Sequence, residues 1–390
     1  MSPVRRARGA VFVVFLINGL FFGSWAARIP AVRARLGLSD GELGFALACV
    51  AIGAILAMPV AGAIAARTGS RRATRAALAL LCLATGVIAL APSLPVLAVL
   101  ALAYGASSGA LDVAMNTHGV AVERRYGRPI LSGFHAGFSV GGLTGAALGA
   151  LAAAAHLDAR VHLALVAAAG AALGLTWSRR FLPGSEDATG RGEPILARPP
   201  RRLWALGALA FSCLLIEGAS GDWSGVYIKD ELGASAAFAA LGFTAFSVTM
   251  TLGRVFGDRL VMRFGPVAVV RGGGAVAAAG FALALVVARP WAALLGFACL
   301  GAGMASVIPI VFRAAGGVPG MRAGIALAAA SSTGYFGLMA GPPIIGGLAE
   351  LVGLPAALGV LVALGAAVVA LAPTTRAGTP VPGRTEVALA

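Results

Sequence analysis

Apolar residues run along this 390-residue chain in long stretches separated by short polar connections. A helix needs roughly 20 apolar residues to cross a hydrocarbon core about 30 Å thick. Twelve stretches reach that length: 10–29, 43–65, 73–91, 95–117, 130–155, 160–177, 203–227, 236–256, 266–288, 291–312, 322–349 and 352–372. The predicted fold class is an all-α polytopic membrane protein. The pattern also repeats. Asn18-Gly19-Leu20-Phe21-Phe22-Gly23-Ser24-Trp25, followed by Leu36-Gly37, returns as Glu217-Gly218-Ala219-Ser220-Gly221-Asp222-Trp223, followed by Leu232-Gly233. Gly137 and Gly141 return as Gly337 and Gly341. A duplicated, membrane-embedded chain predicts two pseudo-symmetric six-helix bundles with a site between them.

The expected organisation is an N-terminal bundle over 1–177, a linker over 178–202, a C-terminal bundle over 203–372 and a disordered tail over 373–390. Pro183, Gly184, Ser185, Gly190, Gly192, Pro194, Pro199 and Pro200 give the linker the composition of a flexible or extended connector. Three N-terminal arginines followed by an apolar run mimic a leader. Because that run is the repeat counterpart of helix 7, it is read as an uncleaved first span.

Composition sharpens the membrane reading. Apolar residues make up 59% of the chain and charged residues only 12%, about half the usual charge of a soluble protein. The net charge of +15 invites a nucleic-acid partner, but the basic residues are split among short loops rather than gathered on one face. Of 30 basic residues, six (Arg28, Arg33, Arg35, Arg160, Lys229 and Arg289) fall on one set of connections and Arg254 falls in a span. The remaining 23 fall on the other side, with both termini. By the positive-inside rule that side is cytoplasmic. The expected location is a bacterial inner membrane, and the expected partners are the lipid bilayer, a small-molecule substrate and protons, with no nucleic acid. A monomer is the expected functional unit. Cys49, Cys82, Cys213 and Cys299 lie in apolar stretches without metal-ligand spacing. The sequence calls for no metal and no cofactor. It has no P-loop lysine, no His-Glu-x-x-His and no Gly-x-Ser-x-Gly with triad logic, so neither ATP hydrolysis by that route nor enzyme chemistry is expected.

Two loops carry related motifs. After span 2 the chain reads Gly62-Ala63-Ile64-Ala65-Ala66-Arg67-Thr68-Gly69-Ser70-Arg71-Arg72. After span 8 it reads Arg254-Val255-Phe256-Gly257-Asp258-Arg259-Leu260-Val261-Met262-Arg263-Phe264-Gly265. Both resemble the cytoplasmic loop signature of the major facilitator superfamily, Gly-x-x-x-Asp-Arg-x-Gly-Arg-Arg. The resemblance implies a charge latch at a helix end that steadies an outward-open state. Gly62, Arg67, Gly69 and Arg71 are its candidates in the first copy; Gly257, Asp258, Arg259 and Arg263 are its candidates in the second. Ala66 and Ser70 depart from the pattern in the first copy, and the second has three extra residues before Arg263. The latch is therefore expected chiefly in the second half. Leu111-Asp112-Val113-Ala114-Met115-Asn116, Phe134-His135-Ala136-Gly137-Phe138-Ser139 and Gly221-Asp222-Trp223-Ser224 are similar to the permease-like branch related to fucose and other sugar permeases.

Small residues recur every four positions in span 5, at Gly137, Gly141, Gly145 and Gly149, which lets another helix approach closely. Span 11 carries Gly337 and Gly341-Pro342-Pro343. Span 5 lacks the proline that the resemblance associates with proton antiporters.

Ionisable residues inside apolar spans are costly and usually face a cavity or a partner. Asp112, Glu217 and Asp222 are the acids read as lying in or at the edge of spans. Glu217, near the middle of span 7, is the first candidate for substrate binding or proton coupling, and Asn18 is its repeat counterpart. Asp112, Asn116 and His135 form a second candidate group, either a relay or a structural pairing of spans 4 and 5. Asp222 and Tyr335 complete the set. The expected function is secondary active transport of a small polar solute, a sugar by resemblance, coupled to protons by alternating access. Efflux of amphipathic compounds, passive facilitation and a non-transporting membrane sensor are the alternatives.

Overall fold

A computed structural model describes residues 2–183 and 200–376. Most of the predicted linker and tail falls on 184–199 and 377–390, outside the described residues. The long helices are α1 (Pro3–Leu36), α2 (Asp40–Thr68), α3 (Ser70–Val87), α4 (Leu94–Tyr126), α5 (Leu131–Ala154) and α6 (Ala159–Trp177) in the first half. The second half contains α7 (Arg201–Val226), α8 (Leu241–Phe264), α9 (Pro266–Val287), α10 (Pro290–Gly316), α11 (Ala323–Val352) and α12 (Leu354–Thr375). A π-helical turn, Tyr227–Glu231, extends α7.

Local chemistry sets several of these ends. Ser39 and Glu42 form a reciprocal capping box at the start of α2: the Glu42 N–H donates to Ser39 Oγ and the Ser39 N–H donates to Glu42 Oε2. Asp158 caps α6, and hydrogen bonds from Arg160 hold its carboxyl down at about 2. Gly37 closes α1 and Gly127 closes α4 at positive φ, 64° and 76°, where a side chain would be strained.

Eleven of the twelve long helices are apolar enough to cross a membrane by length and composition. The exception is α8. Its predicted span, 236–256, is displaced to 241–264 because the helix continues past Arg254 through Asp258, Arg259 and Arg263. Those charges lower its hydropathy. Similarly, α4 runs to Tyr126, nine residues beyond its predicted end, because Glu123 is buried within the protein. The outer surface is apolar: Val286 is 82% and Leu351 80% exposed, as expected of side chains that face lipid.

Within the first half, α1 packs on α5 and α2 on α4; within the second, α7 packs on α11 and α8 and α9 pack on α10. Between halves the main contacts pair α2 with α11 and α5 with α8. The α1–α5 contact is made backbone to backbone. A Cβ added at Gly141 would lie 2.0 Å from the Leu16 carbonyl oxygen, and one at Gly145 would lie 2.2 Å from that of Leu20. The expected four-residue ladder is therefore a packing seam.

Gly141→Ala should force α1 and α5 apart and cost about 1–3 kcal/mol, the usual penalty for overpacking. Gly142→Ala, where the nearest atom to an added Cβ is 3.8 Å away, should be tolerated. Thermal unfolding of the two purified variants in detergent checks this; equal melting temperatures would reject the seam.

Candidate functional site

The halves close on each other at the end that carries Pro3, Arg201 and Thr375. There Gly62 of α2 meets Gly324 and Ala328 of α11, leaving room for no side chain at either glycine. Further along the same two helices, at Gly44 and Gly347, no atom lies within 4 Å of an added Cβ. The close glycine contact between the pair is thus at the terminus-bearing end, and at the opposite end neither glycine touches the other helix.

A cluster of charges seals the closed end. Glu123, near the end of α4, accepts the N–H groups of Ile130 and Leu131 at the start of α5, at 2.8 and 3.0 Å. Asp258 of α8, from the other half, accepts the next two, Ser132 at 3.0 Å and Gly133 at 2.8 Å. These four N–H groups have no partner within their own helix, and the helix dipole favours negative charge there. Arg313, on α10, donates to both carboxylate oxygens of Glu123, with its Nη2 at 2.8 Å from Oε2, and lies 3.9 Å from Asp258. Arg124 donates to the Gly316 carbonyl across the same boundary.

The first-half loop works differently. Ala66 carries no carboxylate, and instead its carbonyl accepts from Arg322 Nη1 at 3.1 Å. Arg322 is the N-cap residue of α11. An arginine thus lies at the C-terminus of α2, where the dipole favours positive charge. Of the predicted latch residues, Gly62, Gly257 and Asp258 sit at the boundary between halves. A Cβ at Gly257 would meet Ser306 Oγ at 2.5 Å and Ser132 Oγ at 2.8 Å. Gly69 forms the turn into α3 with φ +86°. Arg71 donates to the Arg179 carbonyl within its own half at 3.4 Å. Arg67, Arg259 and Arg263 are exposed; Arg259 lies over the Phe256 ring and Arg263 over the Phe264 ring.

Deeper in, polar side chains from five helices form one continuous chain. Glu217 Oε2 of α7 lies 3.7 Å from Arg254 Nη2 of α8. Arg254 Nη1 donates to Ser139 Oγ of α5 at 2.8 Å, and that hydroxyl donates to the His135 carbonyl. His135 Nε2 lies 3.2 Å from Asn116 Oδ1 of α4. Asn116 Nδ2 donates to Asp112 Oδ1 at 3.1 Å, and Ser331 Oγ of α11 donates to Asp112 Oδ2 at 3.3 Å. The chain crosses between halves twice, at Arg254–Ser139 and at Ser331–Asp112. The second candidate group, Asp112, Asn116 and His135, is brought together with the Asn116 amide between the other two, because Asn116 follows Asp112 by one turn on the face towards α5.

The other candidates are placed as follows. Tyr335 is half-buried against Ala54, Met58, Val113 and Ala328 and is within electrostatic reach of Asp112 and Glu217. Asn18 is buried, with Nδ2 4.0 Å from Met115 Sδ, and is not joined to the chain of polar groups. Asp222 is exposed, nearer the end opposite the termini, and Trp223 beside it is half-buried. Glu217 Oε2 and Arg254 Nε are buried without a hydrogen-bond partner. Such atoms are costly unless something pairs with them. Among the described residues no three His, Cys, Asp or Glu side chains converge as metal ligands.

Arg254, Ser139, Ser331, Glu123 and Arg313 were not among the predicted site residues. Helical spacing held a signal for some of them. Asp112, Asn116 and Glu123 are 4 and 11 positions apart, and Arg254 and Asp258 are 4 apart, so each set shares one helix face. The partners from the other half have no such local signature.

A model of the Major Facilitator Superfamily matches residues 10–221 and again 208–388. The chain belongs to that superfamily. With the membrane-spanning helices and the bacterial relatives, this makes the chain a multi-pass bacterial membrane protein of a transporter family rather than an enzyme. It is 38% identical over 349 residues to an uncharacterised MFS-type transporter of Yersinia pestis, covering 89% of this chain and 90% of that one. It is 34% identical over 365 residues to membrane protein MosC of Rhizobium meliloti, covering 91% and 87%. Among solved structures, FucP in its outward conformation superposes with a TM-score of 0.79 at 16% identity, covering 96% of this chain and all of that one. The human organic anion transporter MFSD10 gives 0.76 at 17%, covering 95% and 100%. At such identities the likeness is one of fold.

The arrangement at the closed end makes a prediction. Charge-assisted hydrogen bonds are worth about 1.5–3 kcal/mol each, so Asp258→Ala should speed hydrogen exchange at the Ser132 and Gly133 amides about tenfold or more. Arg259→Gln, at an exposed site, should leave both rates unchanged. Hydrogen exchange of the first turn of α5 reads the difference, and unchanged protection in Asp258→Ala would remove Asp258 from the seal.

Proposed function

We propose that this chain is a proton-coupled secondary carrier for a small, polyhydroxylated solute, working as a monomer in the bacterial inner membrane with both termini in the cytoplasm. The observation that carries the proposal is the continuous Glu217–Arg254–Ser139–His135–Asn116–Asp112–Ser331 chain. It lies on the facing helices of both halves, towards the end where they meet. With the terminus-bearing end cytoplasmic, as the basic loops indicate, the described state is outward-open, and the solute enters where α2 and α11 diverge.

The chemistry of the chain suits such a solute. Hydroxyl groups both donate and accept, so they can pair with Glu217 Oε2 and Arg254 Nε, the two atoms left without partners. Tyr335 offers an apolar face beside them. Protonation of Glu217 would remove the charge that attracts Arg254 and free the rest of the guanidinium for the solute. Protonation of Asp112 would give it one O–H donor beside a remaining acceptor and remove the charge that strengthens the Ser331 hydrogen bond, which weakens one of the two links between halves. Either event changes the relative stability of the closed and open arrangements, as coupling requires. The Arg313–Glu123–Asp258 cluster holds the cytoplasmic end shut until that balance shifts, then separates as the halves rock.

A thermal-shift screen of purified protein against monosaccharides and polyols supplies a solute, since ligand binding to the native state raises its stability by mass action. Uptake of that solute into vesicles under an imposed pH gradient then tests coupling. Glu217→Gln and Asp112→Asn should each lower gradient-driven accumulation by about tenfold or more, the effect of losing about 1.4 kcal/mol of coupling, while solute exchange without a gradient persists. Full accumulation in both variants would reject proton coupling through this chain, and hits confined to amphipathic compounds would reject the polyol.

A further inference from the structure

At the terminus-bearing end, a cleft of about 480 Å³ opens between the first turns of α1 and the α4–α5 connection. Arg5, Arg8, Gly9, Phe12, Tyr126, Ile130, Gly133 and Phe134 line it. It is separate from the polar chain above and has no part in the transport reading. Helix α1 is 34 residues long, or roughly 50 Å at 1.5 Å per residue. That exceeds the hydrocarbon core by several turns, so Arg5 and Arg8 stand at headgroup depth while Phe12, 40% exposed, lies one turn further in.

The charges in the cleft are one-sided. Tyr126 is held between two guanidinium groups: Arg8 lies 5.1 Å and Arg128 5.2 Å from its ring centroid. Both donate to its hydroxyl, at 2.9 and 3.4 Å. Two like charges share one neutral partner, and Arg5 adds a third to the rim. No carboxylate lines the cleft, and the ion pairs among the described residues involve other arginines and Lys229. Two acids lie behind the lining, Glu123 at Ile130 and Asp258 at Gly133, and each is already engaged by two N–H groups. The cleft therefore offers several donors to one anion at its mouth and an aromatic wall below it.

We infer that this cleft binds the phosphodiester headgroup of an anionic phospholipid, with the acyl chains running over Phe12. Arginine suits phosphate because its planar fork presents paired donors, and basic pockets between helices at headgroup depth take anionic lipids. Occupancy has a mechanical consequence. Ile130 and Gly133 line the cleft and also donate to the sealing carboxylates Glu123 and Asp258. A bound headgroup steadies the first turn of α5 in the position that the seal requires.

Purified protein titrated with dioleoyl phosphatidylglycerol, with dioleoyl phosphatidylcholine and with inorganic phosphate, read by native mass spectrometry, tests the site. Wild type should retain phosphatidylglycerol in preference to phosphatidylcholine. Arg8→Gln with Arg128→Gln should weaken that binding about tenfold or more, near the value expected for two basic residues at the surface. Arg72→Gln with Arg75→Gln removes the same charge from exposed positions at the start of α3 and should change it by less than about twofold. Arg5→Gln, a single change at the exposed rim of the cleft, should weaken the binding several-fold, and it decides the matter if the double variant does not fold. Equal loss in the two arginine pairs, unchanged binding in Arg5→Gln, or full displacement of the lipid by inorganic phosphate would each overturn the assignment.

Discussion

Two carboxylates from opposite halves share the N-terminus of one helix. Four consecutive N–H groups of the α5 start, at residues 130–133, are divided between Glu123 of its own half and Asp258 of the other. A helix begins with four N–H groups that nothing inside it can satisfy. When that start is buried, each unpaired group costs free energy comparable to a lost hydrogen bond. In the closed arrangement the other half supplies half of the solution. Separation of the halves therefore exposes Ser132 and Gly133 to a new partner or to water. Charge-assisted hydrogen bonds of this kind hold firmly, and water at a surface can take their place when the partners separate.

The two halves solve the same problem with opposite polarity. Between α8 and α5 an acid meets a helix N-terminus. Between α2 and α11 the acid has been lost at Ala66, and Arg322 meets a helix C-terminus instead. Each satisfies backbone groups that a helix end leaves open, and each places its charge where the dipole favours it. The α2–α11 side adds a tight glycine contact at Gly62 and Gly324, so it relies on shape where the other side relies on charge. Substitutions on the two sides act through different physics even though the repeat makes them equivalent in sequence.

The fold was highly legible because a bilayer allows few solutions: apolar length gave the twelve helices, and the spacing of repeats gave two bundles. Where boundaries shifted, a charge was the reason. Glu123 and the run from Asp258 to Arg263 look like loop residues to a hydropathy reading, yet the helices carry Glu123 and Asp258 into the protein. The site was only partly legible. Glu217, Asp112, Asn116 and His135 stand out as polar groups in apolar spans, but the order in which they connect does not. Asn116 lies between Asp112 and His135, and Arg254 and Ser331 arrive from the other half at separations above one hundred residues. Local spacing reveals which groups share a face; it carries no information about which face of a distant helix lies opposite.

The polar chain across the middle gains its meaning from how few alternatives each member has. Arg254 has donors only; the carboxylates of Asp112 and Glu217, when ionised, have acceptors only; Ser139, Ser331 and Asn116 have both. Donors and acceptors that meet in a low-dielectric interior bind strongly when matched and cost heavily when not. A proton added to either acid makes one of its oxygens a donor and removes its charge, and a neighbour that donates to that oxygen must then rotate, find another partner or part. Two of the links join halves that are otherwise held by the seal at the closed end. Under the proposed coupling, a change of one proton would be converted into a change in the affinity of one bundle for the other. Isolated buried acids, each satisfied within its own half, would lack that lever.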